Sequence, residues 1–281
     1  MAVVIPEIFS DAVNAKMTES LRIGKVAFDA TDMVGDIREY GDKVHFPKFD
    51  RIGSAETMTK GNSLTPADVA MTDSYATIKQ VGKAVRVYDK DKVQIKGAVV
   101  DRMAEQIGEE MAKAVDSDLV AEMDANASYK TATAGASAIT QAEIEAGFDN
   151  FGDDINSDSY AGIVINSRLR SSFVSMDAFV KNDYVFAKSG NGRGDDNGIL
   201  GYYLGVIPVI VCNNGTYDTT LNECKTYIVK KDALGIIWQK EANIEEERES
   251  LKKATLLSAD ELYAVKLLNA GGVAILRKTI S

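Results

Sequence analysis

The longest regular pattern of apolar and polar positions lies between Asp91 and Ala125. Large apolar residues recur there at every fourth position, at Val99, Met103, Ile107, Met111, Val115, Leu119 and Met123. Charged side chains fill the other faces and no proline interrupts the run, which is typical of an amphipathic helix. At ~1.5 Å per residue the predicted helix spans about 50 Å, far more than the usual three or four turns. A second stripe, of the small residues Ala104, Gly108 and Ala112, indicates close approach of another backbone.

Residues 6–23 predict a second, shorter helix at the start of the chain. Pro6 suits the first turn of a helix. One face is apolar and is formed by Phe9, Val13, Met17 and Leu21. Several glycines follow this segment, so we expect an arm that needs another surface to pack against.

Two strand-like segments enclose about twenty small and polar residues. Residues 41–50 alternate between polar and apolar side chains, and residues 72–89 are rich in Thr, Ile, Val and Tyr. The alternating positions are Lys43, Val44, His45 and Phe46. A connection of this length is uncommon in a compact domain. We expect an extended hairpin of two long strands. An isolated ribbon is marginally stable, so this hairpin should lie on a neighbouring copy of the chain; a disordered surface loop is the alternative.

The second half of the chain predicts a compact α/β unit over residues 140–220, preceded by a linker over 127–139. Thr140 and Glu143 have the spacing of a capping box. The predicted elements are a helix over 140–155, a strand over 162–165, a short helix with Leu169 and Phe173, a tight turn at Gly205 and a strand over 206–211. Beyond it we expect two short strands on either side of Ala233–Leu234–Gly235, an acidic segment over 242–250, and a final hairpin turning at residues 269–272.

Composition and charge exclude several classes of protein. The chain has 281 residues, of which 45% are hydrophobic and 26% charged, and this composition suits one large or two intermeshed soluble domains. No segment has the length of a membrane span or the pattern of a signal peptide. The net charge is −10 and no Lys/Arg-rich stripe occurs. Sequence-specific nucleic-acid binding is therefore disfavoured, because it rests on neutralising phosphates, although such a chain could line a DNA container.

The search for catalytic chemistry yields no site. Cys212 and Cys224 are interpreted as reduced structural thiols, with pairing across a turn as the alternative, and the single histidine, His45, is too far away in sequence to complete a zinc site. The glycine-rich segment 189–198 does not follow a strand and open a helix, which argues against a dinucleotide loop. We therefore predict no catalytic, cofactor-binding or metal-binding residue and no cofactor.

Three clusters of oxygen-bearing side chains are candidates for a metal or carboxylate site, and each has a simpler interpretation. Asp195, Asp196 and Asn197 offer oxygens for calcium but lack the EF-hand spacing. Glu245, Glu246, Glu247 and Glu249 are interpreted as a solvated strand or a partner for Lys and Arg of another subunit. Asp153, Asp154 and Asp158 are interpreted as loop and cap residues. A metal-dependent hydrolase using the aspartates near 153–158 and 195–196 remains an unfavoured alternative. Tight, stoichiometric binding of a divalent metal together with loss of a hydrolytic activity in Asp195→Ala would support it.

The order of parts resembles the tailed-phage major capsid protein, whose Hong Kong 97-type fold is shared with encapsulin shells. The order is arm, two-stranded loop, long helix, inserted α/β unit and returning strands. YAGIVINSRLRSSF and GYYLGVIPVIVCNN look like segments of the axial domain of such proteins, and DELYAVKLLNAGGVAILRK resembles their final strands. Each phrase alone is generic, and the specificity lies in the order.

The resemblance implies an α+β phage capsid fold that covers nearly the whole chain. The implied divisions are an N-terminal arm (1–35), an extended loop (36–89), a peripheral domain with the spine helix (90–139), an inserted axial domain (140–225) and peripheral β-strands (226–281). It implies a structural protein, not an enzyme, that self-assembles into hexamers and pentamers of an icosahedral shell around double-stranded DNA, in a virion assembled in the host bacterial cytoplasm. The arm and the loop from Ile52 to Val69 would reach onto neighbouring subunits.

Three further expectations concern partners. Many members carry a scaffolding segment ahead of the arm, whereas this arm starts near Met1, so the resemblance implies a separate scaffolding protein or none, together with a portal. Some members join subunits by a lysine–asparagine bond, for which Lys60 and Asn269 would be the candidates, but we do not predict one. An encapsulin-like compartment with a protein cargo is the alternative function.

Overall fold

A computed structural model of the chain describes residues 6–31, 43–49, 57–58, 71–94, 99–131, 134–136, 138–153, 159–180 and 198–280. The helices are α1 (Pro6–Ser20), α2 (Asp89–Gln94), α3 (Val99–Asn126), α4 (Gln141–Asp149), α5 (Arg170–Val174) and α6 (Asp177–Val180). The first seven strands are β1 (Phe28–Asp29), β2 (Lys43–Phe49), β3 (Met71–Thr77), β4 (Lys79–Tyr88), β5 (Tyr129–Lys130), β6 (Gly135–Ala136) and β7 (Tyr160–Ile165). The others are β8 (Ile199–Tyr203), β9 (Ile207–Val211), β10 (Tyr217–Asp218), β11 (Glu223–Lys230), β12 (Leu234–Glu249), β13 (Ala254–Leu267) and β14 (Val273–Thr279).

Within the described residues these strands form three sheets. One has four strands in the order β1-β12-β13-β4, and a second has the path β5-β14-β11-β7-β9-β8, with β10 and β6 paired at its side. Strands β2 and β3 form a separate two-stranded sheet. Most pairs are antiparallel, but β1–β12, β7–β9 and β14 with β5 and β6 are parallel. The mixed content of helices and sheets agrees with the predicted α+β class.

Helix α3 lies in the main core and confirms the predicted long helix. Its apolar stripe is buried from Ile107 to Met123, and α1 buries Val13, Met17 and Leu21 in the same cluster. The predicted helix was expected to start at about Asp91. Helix α2 ends at Gln94 and α3 begins at Val99, and residues 95–98 between them lie outside the described residues, so a continuous helix from Asp91 stays a prediction.

The segment 72–89 is two strands and not one. Strand β3 pairs with β2, while β4 pairs with β13 over ten residues. The pattern of β-formers continues across Ile78 and cannot reveal that the partner changes there. The hairpin base is also held by its own chain, since Val44 and Phe46 are buried with Ile237 and Ala264. The expected loop tip lies outside the described residues, apart from residues 57–58.

The positions of the C-terminal strands agree with the prediction, but their predicted pairing partners are wrong. The strands on either side of Ala233 belong to different sheets, and the second is long, with 16 residues that include most of the acidic segment. Strands β13 and β14 do not form the expected hairpin. Both edges of β13 are occupied, by β12 and β4, so after the turn at Asn269 the chain enters the other sheet and pairs with β11. The predicted linker 127–139 contains β5 and β6, which extend that sheet beside β14.

A second core forms around β7, β9, β11 and α4. It includes Ile144, Phe148, Ile163, Phe173 and Val209. The capping box of α4 is present, because the backbone N–H of Thr140 donates to Glu143 Oε2 at 2.8 Å. The helix ends at Asp149, earlier than predicted. This core also takes Ile228 and Ala274 from the tail of the chain, so the α/β unit is completed by strands that follow residue 225.

Candidate assembly interface

The arm helix α1 crosses α3 at the predicted stripe of small residues. A Cβ placed on Gly108 would lie 2.8 Å from Val13 O and 3.1 Å from Met17 N. Ala104 and Ala112, one turn to either side, are also buried. The two helix backbones therefore touch at Gly108, and the expectation that another backbone approaches this stripe is confirmed.

Asp116 fastens the chain that follows α1. Its carboxylate accepts the backbone N–H groups of Arg22 (3.0 Å), Ile23 (2.9 Å) and Gly24 (3.2 Å) at a short 3₁₀ turn. The residue is fully buried. Burial raises the pKa of the Asp116 carboxyl above its usual value, although the three N–H donors favour the charged form. Asp116 continues the Ala104–Gly108–Ala112 stripe by one more turn, and sequence reasoning missed it.

The other side of α1 rests on β12. Ser10 Oγ and Asn14 Nδ2 both donate to Ala242 O, at 3.0 and 3.3 Å. Ala242 lies in a stretch of β12 where the pairing with β13 is irregular. The arm thus uses a carbonyl group that the sheet leaves free at this bulge.

Three further carboxylates tie the second half of α3 to the sheets. Asp118 accepts Lys79 Nζ and the Tyr263 hydroxyl, both at 2.7 Å. Asp124 accepts Lys225 Nζ (2.6 Å) and the Tyr227 hydroxyl (2.9 Å). Burial raises the pKa of both tyrosines, and the neighbouring carboxylates raise it further. Carboxylate–tyrosine pairs of this kind occur in active sites, but here Asp118 and Asp124 each hold a strand against α3.

The third carboxylate, Glu122, accepts the backbone N–H of Leu267 (3.3 Å) and lies 3.2 Å from Lys266 Nζ. It therefore holds the end of β13 against α3. Together the carboxylates of α3 bind the arm, β4, β11 and β13 to one helix.

The outer ends of β12, β13 and β4 form a ribbon with largely exposed outer strands. Ion pairs cross the ribbon between Arg248 and Asp89 (2.6 Å) and between Arg86 and Glu249 (2.9 Å). Exposed pairs add little to the free energy of unfolding, but they hold the register of the three strands. At the turn, Leu251 is 98% exposed. The turn of the ribbon therefore carries one fully exposed apolar side chain.

The acidic group predicted at residues 245–249 lies on this ribbon. Glu245, Glu246 and Glu247 are exposed, as the solvated-strand interpretation expected. Glu249 is bound by Arg86 of its own chain and by Lys252 (3.3 Å). An ion pair with another subunit is therefore available only to the first three glutamates.

A second exposed apolar feature lies at the turn between β8 and β9. Leu204 and Val206 are exposed there, with Gly205 between them. Leu204 and Gly205 have positive φ values of 49° and 74°, which gives the predicted tight turn. Strand β8 was not predicted, because it follows the glycine-rich segment directly.

The candidate residues for chemistry that the structure describes are not assembled into a site. His45 is exposed on β2, 6.3 Å from the ring of Tyr75. Cys212 and Cys224 are buried free thiols, and burial raises the pKa of Cys212 to about 12. Asp153 is exposed in a turn. The positions outside the described residues are Asp154, Asp158, Asp195, Asp196, Asn197 and Lys60.

The described part of the chain has neither a metal-binding cluster nor a membrane-spanning helix. No three His, Cys, Asp or Glu side chains among those residues are grouped so that they could hold a metal ion. No helix in the same ranges is long and apolar enough to cross a membrane. The side chain of Asn269, the other partner considered for a cross-link, accepts the N–H of Gly271 (3.1 Å) and caps the turn before β14.

Solved structures of phage capsids share this fold at low sequence identity. A chain of Mycobacterium phage Che8 matches with a TM-score of 0.64 and 16% identity, over 90% of each chain. The capsid of Ralstonia phage GP4 matches with a TM-score of 0.63 and 12% identity, over 91% of this chain and 87% of that one. A virus-like particle from Pyrococcus furiosus matches with a TM-score of 0.59 and 11% identity, over 98% of this chain and 100% of that one.

Sequence comparison gives the family. No curated protein sequence matches the chain significantly. A family model described as phage capsid protein matches residues 71–276, which is most of the chain. The chain therefore belongs to the phage capsid protein family and has the fold of tailed-phage major capsid proteins.

Proposed function

We propose that this capsid protein forms hexamers and pentamers that close into an icosahedral shell around double-stranded DNA. The observation that carries the proposal is the family match over residues 71–276 on a fold shared with the capsid of phage GP4. The shell is the part of the virion that this chain builds. The role is structural, and we propose that it includes no catalysis.

The surfaces described above supply contacts for such a shell. The loop from Ile52 to Val69 reaches onto neighbouring subunits, and the ribbon tip at Leu251 meets another copy. The arm was also expected to reach a neighbour, but its helix α1 packs on α3 and β12 of its own chain. Extended elements shared between subunits create the large interfaces that obligate assemblies need. We divide the subunit into five parts, which are the arm (1–35), the loop (36–89), the spine (90–139), the axial part (140–225) and the peripheral part (226–281). Strands β11 and β14 join the sheet of the axial part.

Further partners follow from this role. We propose a separate scaffolding protein and a portal, and assembly in the cytoplasm of a host bacterium without a membrane. The DNA is enclosed without sequence-specific binding, because a net charge of −10 opposes the neutralisation of many phosphates.

An encapsulin-like compartment with a protein cargo is the second candidate. The virus-like particle from Pyrococcus furiosus is covered over its whole length by this chain. The contents of the shell separate the two functions. Nuclease-protected DNA in particles from phage-producing cells supports the capsid, whereas a packaged protein without DNA supports the compartment.

The assembly proposal is tested by negative-stain electron microscopy and sedimentation of the purified protein. We expect closed shells, or rings of five and six subunits. A monomer or dimer that does not assemble even with a scaffold supplied would contradict the proposal.

A deletion of residues 53–70 tests the role of the loop. We expect a soluble subunit with native circular dichroism and native Trp238 fluorescence that forms no shells. Shells of normal size and yield from this variant would refute a role of the loop in assembly.

A further inference from the structure

Glu261 is a buried carboxyl group without a partner. It is 0% exposed, and neither of its oxygens has a hydrogen bond among the described residues. It lies on the inward side of β13 in line with Leu257, Ala259 and Tyr263, all of which are buried in the core that α1 and α3 share. Buried carboxylates are normally paired, so this one requires an explanation.

The group lies where the arm helix meets the sheet. Leu262 pairs with Lys240 and Asp260 pairs with Asn243, so the irregular stretch of β12 that contains Ala242 lies opposite Glu261. Ala242 O is the acceptor for Ser10 and Asn14 of α1. The Oδ1 atom of Asn14 is itself buried without a partner. Two unsatisfied polar groups therefore belong to the same junction of α1 with β12 and β13.

The nearby charged groups are engaged elsewhere. On β4, Val81 pairs with Glu261, and the lysines on either side, Lys79 and Lys83, are exposed. Other titratable groups on the packed elements have partners of their own, which are Lys79 and the Tyr263 hydroxyl with Asp118, Lys240 with Asp260, Lys113 with Glu110, Asp116 with the 3₁₀ turn, and Lys16 with Glu19. Asp11 and Glu241 are exposed.

No charged group among the described residues compensates Glu261. Burial alone raises the pKa of its carboxyl from 4.5 to about 7. The group is therefore neutral in the folded chain at mildly acidic pH and ionised in alkaline solution.

We propose that Glu261 is a proton-dependent latch for the arm helix: while the carboxyl is neutral α1 stays docked on α3 and β12, and ionisation loosens it. Helix α1 is the element that yields, because Ser10 and Asn14 supply its polar contacts with the sheet and both bind one carbonyl group, so it opens at a lower free energy than the core strands. The latch operates in the isolated subunit and does not depend on shell assembly.

The direction of the pH effect follows from the two protonation states. Where α1 is open, Glu261 meets water and regains its ordinary pKa of 4.5. The docked state then binds more protons than the open state, so its stabilisation is complete below that value and is lost as the pH rises towards about 7. Between pH 6 and pH 8 the opening equilibrium of α1 should rise about tenfold.

Hydrogen exchange of the unassembled subunit measures this opening. Peptides of α1 are followed from pH 5.5 to 8.5, with rates corrected for the intrinsic pH dependence of amide exchange. Between pH 6 and pH 8 we expect the about tenfold loss of protection in the wild type and a flat profile in Glu261→Gln. The control Glu247→Gln removes an exposed carboxylate from the same ribbon and should keep the wild-type profile.

Three results would overturn the proposal. The first is a wild-type α1 whose corrected protection does not change with pH, and the second is a Glu261→Gln variant that keeps the pH dependence of protection. The third is an equal loss of protection in β7 and β9, which would indicate global unfolding. If Glu261→Gln does not fold, Glu261→Met replaces it, and the carboxyl is titrated by ¹³C NMR in the wild type. A Glu261 titration near 4.5 would then refute the proposal and one near 7 would support it.

Discussion

Replacing Gly108 by alanine should destabilise the subunit although alanine is the better helix former. The added Cβ would lie 2.8 Å from Val13 O and 3.1 Å from Met17 N. Both atoms belong to the backbone of α1, which cannot turn aside as a side chain can. The arm helix must therefore move away from α3 along the whole crossing.

The magnitude is the difference between two effects. Alanine favours the helix by about 1 kcal/mol relative to glycine. Overpacking of a well-packed contact costs about 1–3 kcal/mol, and the upper part of this range applies where the obstacle is backbone. Moving α1 also exposes part of the apolar surface of Val13 and Met17, which are buried in the contact. We expect the free energy of unfolding to fall by about 1–2 kcal/mol.

Guanidinium unfolding of the unassembled subunit measures this difference. Trp238 is the single tryptophan, and its ring centroid lies 5.6 Å from that of Tyr263, so its fluorescence reports on the main core. Gly147→Ala in α4 is the matched control. Its Cβ would meet the flexible end of Ile228 at 2.8 Å and side-chain atoms of Leu276. This control should be neutral or slightly stabilised, and an equal stabilisation of Gly108→Ala would refute the backbone contact.

Two further changes test polar and thiol groups of the core. Asp116→Ala removes the acceptor of three N–H groups, of which that of Ile23 is fully buried, and should lower the free energy of unfolding by about 2–3 kcal/mol. Asp116→Asn should lose less of this free energy. An unchanged denaturation midpoint in the alanine variant would contradict the role of Asp116 as a cap. Cys212 and Cys224 should react with a thiol reagent only after unfolding, because burial raises the pKa of both thiols; rapid labelling of the native chain at pH 8 would show that the thiols are accessible.

Local periodicity was sufficient to predict the elements that contact the core through one face. Helix α3 repeats an apolar residue at every fourth position, and α4 begins with a capping box, so each is specified within a few turns of chain. The stripe of small residues also predicted the contact with α1 at Gly108. The same spacing extends to Asp116, a charged residue at a position that the helix buries. That exception to the pattern was the available signal for the cap of the arm.

The choice of strand partners could not be predicted in the same way. Residues 72–89 form a uniform run of β-formers, yet the chain changes sheets at Ile78. The turn at Asn269 looks like a hairpin turn, but β13 has no free edge, because β4 arrives from far away in sequence. A turn residue determines local direction, whereas the partner depends on which edge other strands have left open.

Glu261 joins these two cases. Alternation along β13 places it in line with Leu257, Ala259 and Tyr263, so its burial was readable from the strand period. Its lack of a partner was not readable, since that depends on α1 packing over the bulge of β12. Gly108 contacts the other side of the same helix, and Asp116 binds the turn that follows it. The contact at Gly108 leaves no room for an added atom, the contact at Asp116 needs a carboxylate, and a charge on Glu261 weakens the docking. We therefore expect the docking of α1 to be more sensitive to single substitutions than the apolar core beneath it.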